Sequence, residues 1–273
     1  MGKLQDDTAL VERDGKLFAR LSRDWEIWGP NGGYVSAIAL RAAGARAPAG
    51  HRPATVSVQY LSAGKFAEAE AVVESVKQGR SAWCFNVALV QEGKRFLQAQ
   101  VWTTDRSAGP NGNELRMPDV PQPDALKSYR DLVPRESDKR DFFDNYEIRP
   151  LKLFTREDPH SGGAVIQEWF RFPDFDSGGD VFADCARPLQ MIDTLLWPAH
   201  HRGIKSGYPS YIAPSLDVSA WFHDNPRNGE WLFIDVHSPT AGNGLIHGVA
   251  RVWSQDGRLL ATGSSHMLVT PRG

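Results

Sequence analysis

Cysteine is scarce, with 2 in 273 residues, Cys84 and Cys185. A disulfide scaffold is excluded, and so sparse a usage fits a reducing compartment. An excess of either charge is also lacking: 31 Lys and Arg stand against 33 Asp and Glu, a formal net charge of -2. That balance gives no electrostatic reason to expect DNA, RNA or an anionic membrane as partner. No apolar run approaches the ~20 residues of a spanning helix. The longest, Val35 to Ala47, is interrupted by Arg41 and Arg46. The start, Met1-Gly2-Lys3-Leu4-Gln5-Asp6-Asp7, has no apolar secretory core, and Asp6 occupies the place of the Ser or Thr of a myristoylation signal. The expectation is a cytoplasmic protein without membrane insertion. Catalytic motifs are missing as well. No Gly-rich loop ends in Lys-Ser/Thr, no Gly-x-Ser-x-Gly occurs, and the 8 His form no His-Glu-x-x-His or spaced Cys/His set, so no metal is expected.

What is present reads as a folded chain, 41% hydrophobic and 23% charged, with 9 Trp and 13 Phe for an aromatic-rich core. After turn chemistry at Gly29-Pro30-Asn31-Gly32-Gly33, the stretch Tyr34 to Ala45 is apolar nearly all round, which predicts a buried helix. Strand patterns follow at Ala54–Ala63, Glu68–Val76, Ala82–Gln91 and Arg95–Thr104, the third and fourth joined by Glu92-Gly93-Lys94. From Asp105 to about Asn145 the chain turns proline-rich and charged, including Arg135-Glu136-Ser137-Asp138-Lys139-Arg140-Asp141, and reads as a linker or surface connection. The pattern then returns: a strand at Ala164–Phe172, a helix at Ala183–His201, and strands at Tyr211–His223, Glu230–Ser238, Leu245–Ser254 and Arg258–Thr270. The last hairpin resembles that of the first half at an offset of roughly 162 residues, Val87 matching Val249, far above the solenoid range of about 20–50. This predicts duplication of a whole unit: one copy in residues 1–104, a linker at 105–145, and a second copy in 146–273.

A helix followed by a curling antiparallel sheet, duplicated, looks like a double hotdog. Three stretches make the chain similar to the acyl-CoA thioesterase II family: Gly32-Gly33-Tyr34, Leu216-Asp217-Val218-Ser219-Ala220-Trp221-Phe222-His223, and Ser254-Gln255-Asp256-Gly257-Arg258-Leu259-Leu260-Ala261-Thr262. The resemblance implies an α+β tandem hotdog, two antiparallel sheets joined side by side, each wrapping a long helix. It implies hydrolysis of acyl-CoA to free acid and coenzyme A, in fatty acid metabolism, without metal or organic cofactor. In the family a water is held by an Asp of the second helix, a Thr or Ser of the next strand and a Gln near the C-terminus. These fall on Asp193, Ser215 and Ser265. Ser265 departs from the pattern, because serine is shorter than glutamine by a carboxamide; His266 beside it is a candidate for the missing polarity.

Read without the resemblance, Asp193 stands out. Its helical neighbours are Leu189, Leu196 and Trp197, and it follows Met191-Ile192. A buried carboxylate costs several kcal/mol unless it is hydrogen-bonded. The alternatives are a face open to water, or a pairing with Arg187. An Asp in a confined site can take a proton from water or attack a thioester directly, and the residues leave both routes open. The oxyanion needs N–H donors, which Gly32, Gly33 and Tyr34 offer at a helix start. Tyr34 to Ala47 holds no Asp or Glu, so a single catalytic site is expected, in the second copy.

Rival readings are a non-catalytic acyl-CoA or acyl-carrier binding module, motivated by Ser265, and a hotdog hydratase. The latter needs an Asp-x-x-x-x-His arrangement, and the fifth residue after Asp193 is Pro198. Cys84, between Trp83 and Phe85, reads as core, Cys185 has no evident base partner, and His200-His201 reads as solvated. Exposed sheet edges make a homo-oligomer the expectation.

Overall fold

Residues 1–110, 112–134, 141–153, 163–204 and 210–271 are described by the computed structural model. Of the expected charge run at 135–141, residues 135–140 lie outside them. The chain opens with a single-turn helix, α1 (Leu4–Asp7), and a hairpin, β1 (Val11–Arg13) and β2 (Lys16–Arg20). These segments are too short and too charged for a periodicity to show. The helix α2 (Gly32–Gly44) follows, then β3 (Arg52–Tyr60), β4 (Glu68–Gln78), β5 (Ala82–Gln91) and β6 (Lys94–Thr104). A short helix α3 (Tyr129–Leu132) precedes β7 (Glu147–Pro150), β8 (Val165–Arg171) and the long helix α4 (Val181–Gly203). The chain ends with β9 (Tyr211–Ile212), β10 (Asp217–Phe222), β11 (Leu232–Gly242), β12 (Leu245–Ser254), β13 (Leu259–Leu268) and β14 (Thr270–Pro271). The strand read at 211–223 is therefore two, broken around Pro214, and that read at 258–270 is also two.

Local chemistry accounts for the main elements. Asn31 caps α2 by accepting from the Tyr34 amide at 2.9 Å, and Asp180 caps α4 by accepting from Phe182 and Ala183. Gly33 to Leu40 are all buried, as an apolar-all-round helix should be. In the β5–β6 turn Glu92 and Gly93 both have positive φ, 50° and 74°, the twist a two-residue hairpin requires and glycine supplies without steric cost.

Twelve strands form one antiparallel sheet in the order β1-β2-β4-β5-β6-β3-β10-β13-β12-β11-β8-β7; β9 and β14 pair separately. The two sheets expected side by side are thus continuous, because β3 and β10 hydrogen-bond along their length. Their register centres on Ser57 opposite Ser219, which differ by the same 162 positions that relate the two hairpins (219 minus 57). The Ser219 hydroxyl donates to Ser57 Oγ at 3.1 Å. Corresponding strands of the two halves therefore meet across a local pseudo-two-fold. Helix α2 packs on β3 to β6, α4 on β8 and β11 to β13, and the helices pack on each other.

The segment read as a linker is only partly surface. Pro123, Phe142, Asp144 and Asn145 are buried. Phe142 packs edge-on to Trp25 and Tyr146, and Trp25 stacks on Tyr34 at 5.3 Å. Asn145 accepts from the Gly2 amide and donates to Asp24 O, tying this segment to the N-terminus. Proline content and charge described the start of the segment and concealed its aromatic end.

Candidate active site

The two helices approach closely where α2 begins. A Cβ on Gly33 would lie 2.7 Å from Gln190 Cα and overlap the Gln190 carbonyl, so only glycine allows this approach. One residue earlier, a Cβ on Gly32 would lie 2.6 Å from Asp193 Oδ2. The start of α2 thus faces the carboxylate of α4 directly.

Asp193 is 7% exposed. Tyr60, at the end of β3, donates its hydroxyl to Asp193 Oδ1 at 3.1 Å. The Ser215 hydroxyl and the Gly33 amide lie near enough to the carboxylate to favour its ionised form. Burial pushes its pKa up to about 6 against these three donors, all of which favour the ionised form. The pairing with Arg187 does not occur. Arg187 is buried, bonds Asp184 and Arg227 O, and lies over Phe175.

The remaining expected site residues are distributed unevenly. Ser215 bridges to Met267 just before β10 and reaches Asp193. Ser265 is buried on the inward face of β13, two residues from Gly263, whose Cβ would press on Ile192 of α4. Its described hydrogen bond goes to His266 O at 3.3 Å rather than to Asp193. His266 is half exposed on the opposite sheet face, as strand alternation requires. Its ring lies 4.7 Å from that of His247, and its amide donates to Asp217. The structure does not bring it to Asp193. Tyr34 is fully buried, its amide taken by Asn31 and its hydroxyl held between the Ser22 amide and Asp7 O. Of the three amides at the helix start, Gly33 is the one that reaches the carboxylate. Both cysteines are buried. His200, read as solvated, is buried and bonded to Tyr211.

Two contributors escape a reading of the chain by itself. Tyr60 carries one visible signal, since period two puts it on the inward face with Val56 and Val58. Gln190, one helical turn before Asp193, is fully buried within hydrogen-bond reach of Asn31, Thr194 and Tyr146. It ties the α2 cap to α4. Nothing in the 159 positions between Asn31 and Gln190 announces that contact.

Among the described residues no group of His, Cys, Asp and Glu could hold a metal, and no helix is long and apolar enough to cross a membrane.

A duplicated helix-and-sheet unit, with a buried carboxylate where its two helices cross, defines a double-hotdog protein. The profile of the acyl-CoA thioesterase N-terminal domain matches residues 21–104, and that of the C-terminal domain matches 116–269. The chain belongs to the acyl-CoA thioesterase family. Its structure is similar to that of an acyl-CoA thioesterase II, TesB2, from Mycobacterium marinum, at 21% identity over 99% of each chain with a TM-score of 0.80. It is similar too to the tesB protein of Mycobacterium avium subspecies paratuberculosis, at 22% identity over 98% of each chain, TM-score 0.76. A hot dog fold protein from Alicyclobacillus acidocaldarius matches at 20% identity over 99% of this chain and 98% of that one, TM-score 0.78. At such identities these likenesses establish the fold.

Proposed function

We propose that the protein hydrolyses acyl-CoA thioesters to the free acid and coenzyme A, with Asp193 as the group that makes water nucleophilic. One observation carries the reading: a carboxylate buried at a helix crossing, with its pKa moved to about 6 and oriented by Ser215, Tyr60 and the Gly33 amide. A base poised near neutral pH is matched to proton transfer there. Asp193 takes a proton as water oxygen attacks the thioester carbonyl. The C–S bond then breaks, and the same proton can pass to the departing thiolate. Ser215 steadies the carboxylate and the attacking water. Direct attack by Asp193, through an anhydride that water then opens, uses the same residues; hydrolysis in 18O-water followed by mass analysis of Asp193 separates the two routes.

The surroundings suit an apolar acyl group. Trp28, 56% exposed, lies edge-on to Trp197, one helical turn beyond Asp193. The site draws Asp193 and Ser215 from the second copy, residues 146–273, and Gly32, Gly33 and Tyr60 from the first, residues 1–104. On this reading the duplicated halves act as one enzyme unit.

The non-catalytic alternative is favoured by a specific observation, namely that Ser265 makes its described hydrogen bond within its own strand. Thiol release over a panel of acyl-CoA chain lengths decides. Hydrolysis that Asp193→Asn abolishes supports the enzyme, whereas binding without turnover in calorimetry supports the binding module. In the enzyme, kcat/KM should rise with pH through about 6 and then level off, because only ionised Asp193 accepts a proton. A flat profile between pH 5 and 8 would remove Asp193 as the base.

A further inference from the structure

Tyr60 is a poor candidate for mere packing. It closes the inward face of β3, yet its hydroxyl end is enclosed and makes two hydrogen bonds, to Asp193 Oδ1 at 3.1 Å and to Ser36 Oγ at 2.8 Å. Ser36 sits fully buried on α2. A phenol carries one proton. With it directed at Asp193, Ser36 must be the donor to Tyr60. The three side chains form an ordered chain, Ser36 to Tyr60 to Asp193, crossing from α2 through β3 to α4. Two of its members belong to the half that has no carboxylate in its helix.

Building on the proposed role of Asp193, we propose that Tyr60, oriented by Ser36, is the positioning residue that fixes the Asp193 carboxylate and holds it ionised in the working pH range. Tyr60 bonds Oδ1, while Oδ2 faces Gly32 at the start of α2. The first half thereby tunes the base. The groups facing Asp193 are few. Tyr60 and Tyr146 are within its electrostatic reach, and both are kept protonated well above their ordinary range by burial. Asp217 acts on Tyr60 in the same direction. Ser215 and the Gly33 amide are neutral donors. Among the described residues that face it, none brings a cation to Asp193, so hydrogen bonds do the tuning.

Tyr60→Phe removes the hydroxyl and keeps the ring. Losing a hydrogen bond to an ionised group should move the acid limb of kcat/KM upward by about one to two pH units. The defect should be several-fold at pH 7 and shrink toward pH 9. Ser36→Ala should shift it the same way by less. The shift is also readable without turnover, by 13C-carboxylate NMR titration of Asp193, identified as the signal missing in Asp193→Asn. An upward move in Tyr60→Phe supports the proposal even if no acyl-CoA is hydrolysed, in which case it is the catalytic reading that fails. An Asp193 titration unchanged in Tyr60→Phe overturns the proposal. Should Tyr60→Phe fail to fold, an unchanged titration in Ser36→Ala overturns it equally.

Discussion

Asp193→Asn is expected to lower thioester hydrolysis by about 10²–10⁴-fold while raising the stability of the fold at neutral pH. The two effects share one cause. A carboxylate moved from 3.8 to about 6 by burial is held ionised against its surroundings. Between about pH 4 and 6 the folded protein keeps a proton that the unfolded chain releases, so stability falls as pH rises through that window and is flat above it. The shift corresponds to about 3 kcal/mol in principle, at about 1.4 kcal/mol per unit. Asparagine recovers less, because its NH2 group meets N–H and O–H donors that were placed for an anion. A gain of about 1–2 kcal/mol at pH 7.5 is expected, shrinking toward pH 4. Thermal unfolding of both proteins across that range measures it. A variant that loses activity and is also less stable at pH 7.5 would indicate that Asp193 holds the structure together rather than being strained for chemistry.

Gly33→Ala should destabilise the protein by about 2 kcal/mol or more, a fall of roughly 4–8 °C in Tm. Two effects oppose each other here. Alanine is the better helix former by about 1 kcal/mol. The new methyl, however, would meet the backbone of Gln190, which cannot swing away as a side chain does. Overpacking costs about 1–3 kcal/mol, and rigid backbone places this site at the upper end. Separating α2 from α4 would also draw the Gly33 amide from Asp193 and stretch the Asn31–Gln190 and Asn31–Thr194 hydrogen bonds. Activity should therefore fall along with stability. Differential scanning calorimetry checks the sign, and a stabilised Gly33→Ala would show the helices free to part.

Sequence reading went further for the fold than for the site. Tyr34 to Ala45 announces a buried helix because nearly every position is apolar, and Asn31-Gly32-Gly33 announces its start. The second hairpin repeats the first closely enough to expose the duplication. The charged hairpin of β1 and β2 offers no alternation. The aromatic end of the 105–145 segment was hidden because Pro and charge dominate its composition. Within the site, Asp193 was legible as a polar exception on an apolar helix. His266 is next to Ser265 in sequence, yet strand alternation sends adjacent side chains to opposite faces.

What the sequence alone determined is what acts over short range: which segments are helix or strand, which faces are greasy, and which single acid is out of place. Only the folded chain decided what meets that acid. Tyr60 and Asp193 are 133 positions apart, and they meet because β3 and β10 pair across a shared edge while two glycines let the helices touch. Contacts of that kind depend on how separate elements pack, and no local periodicity records them.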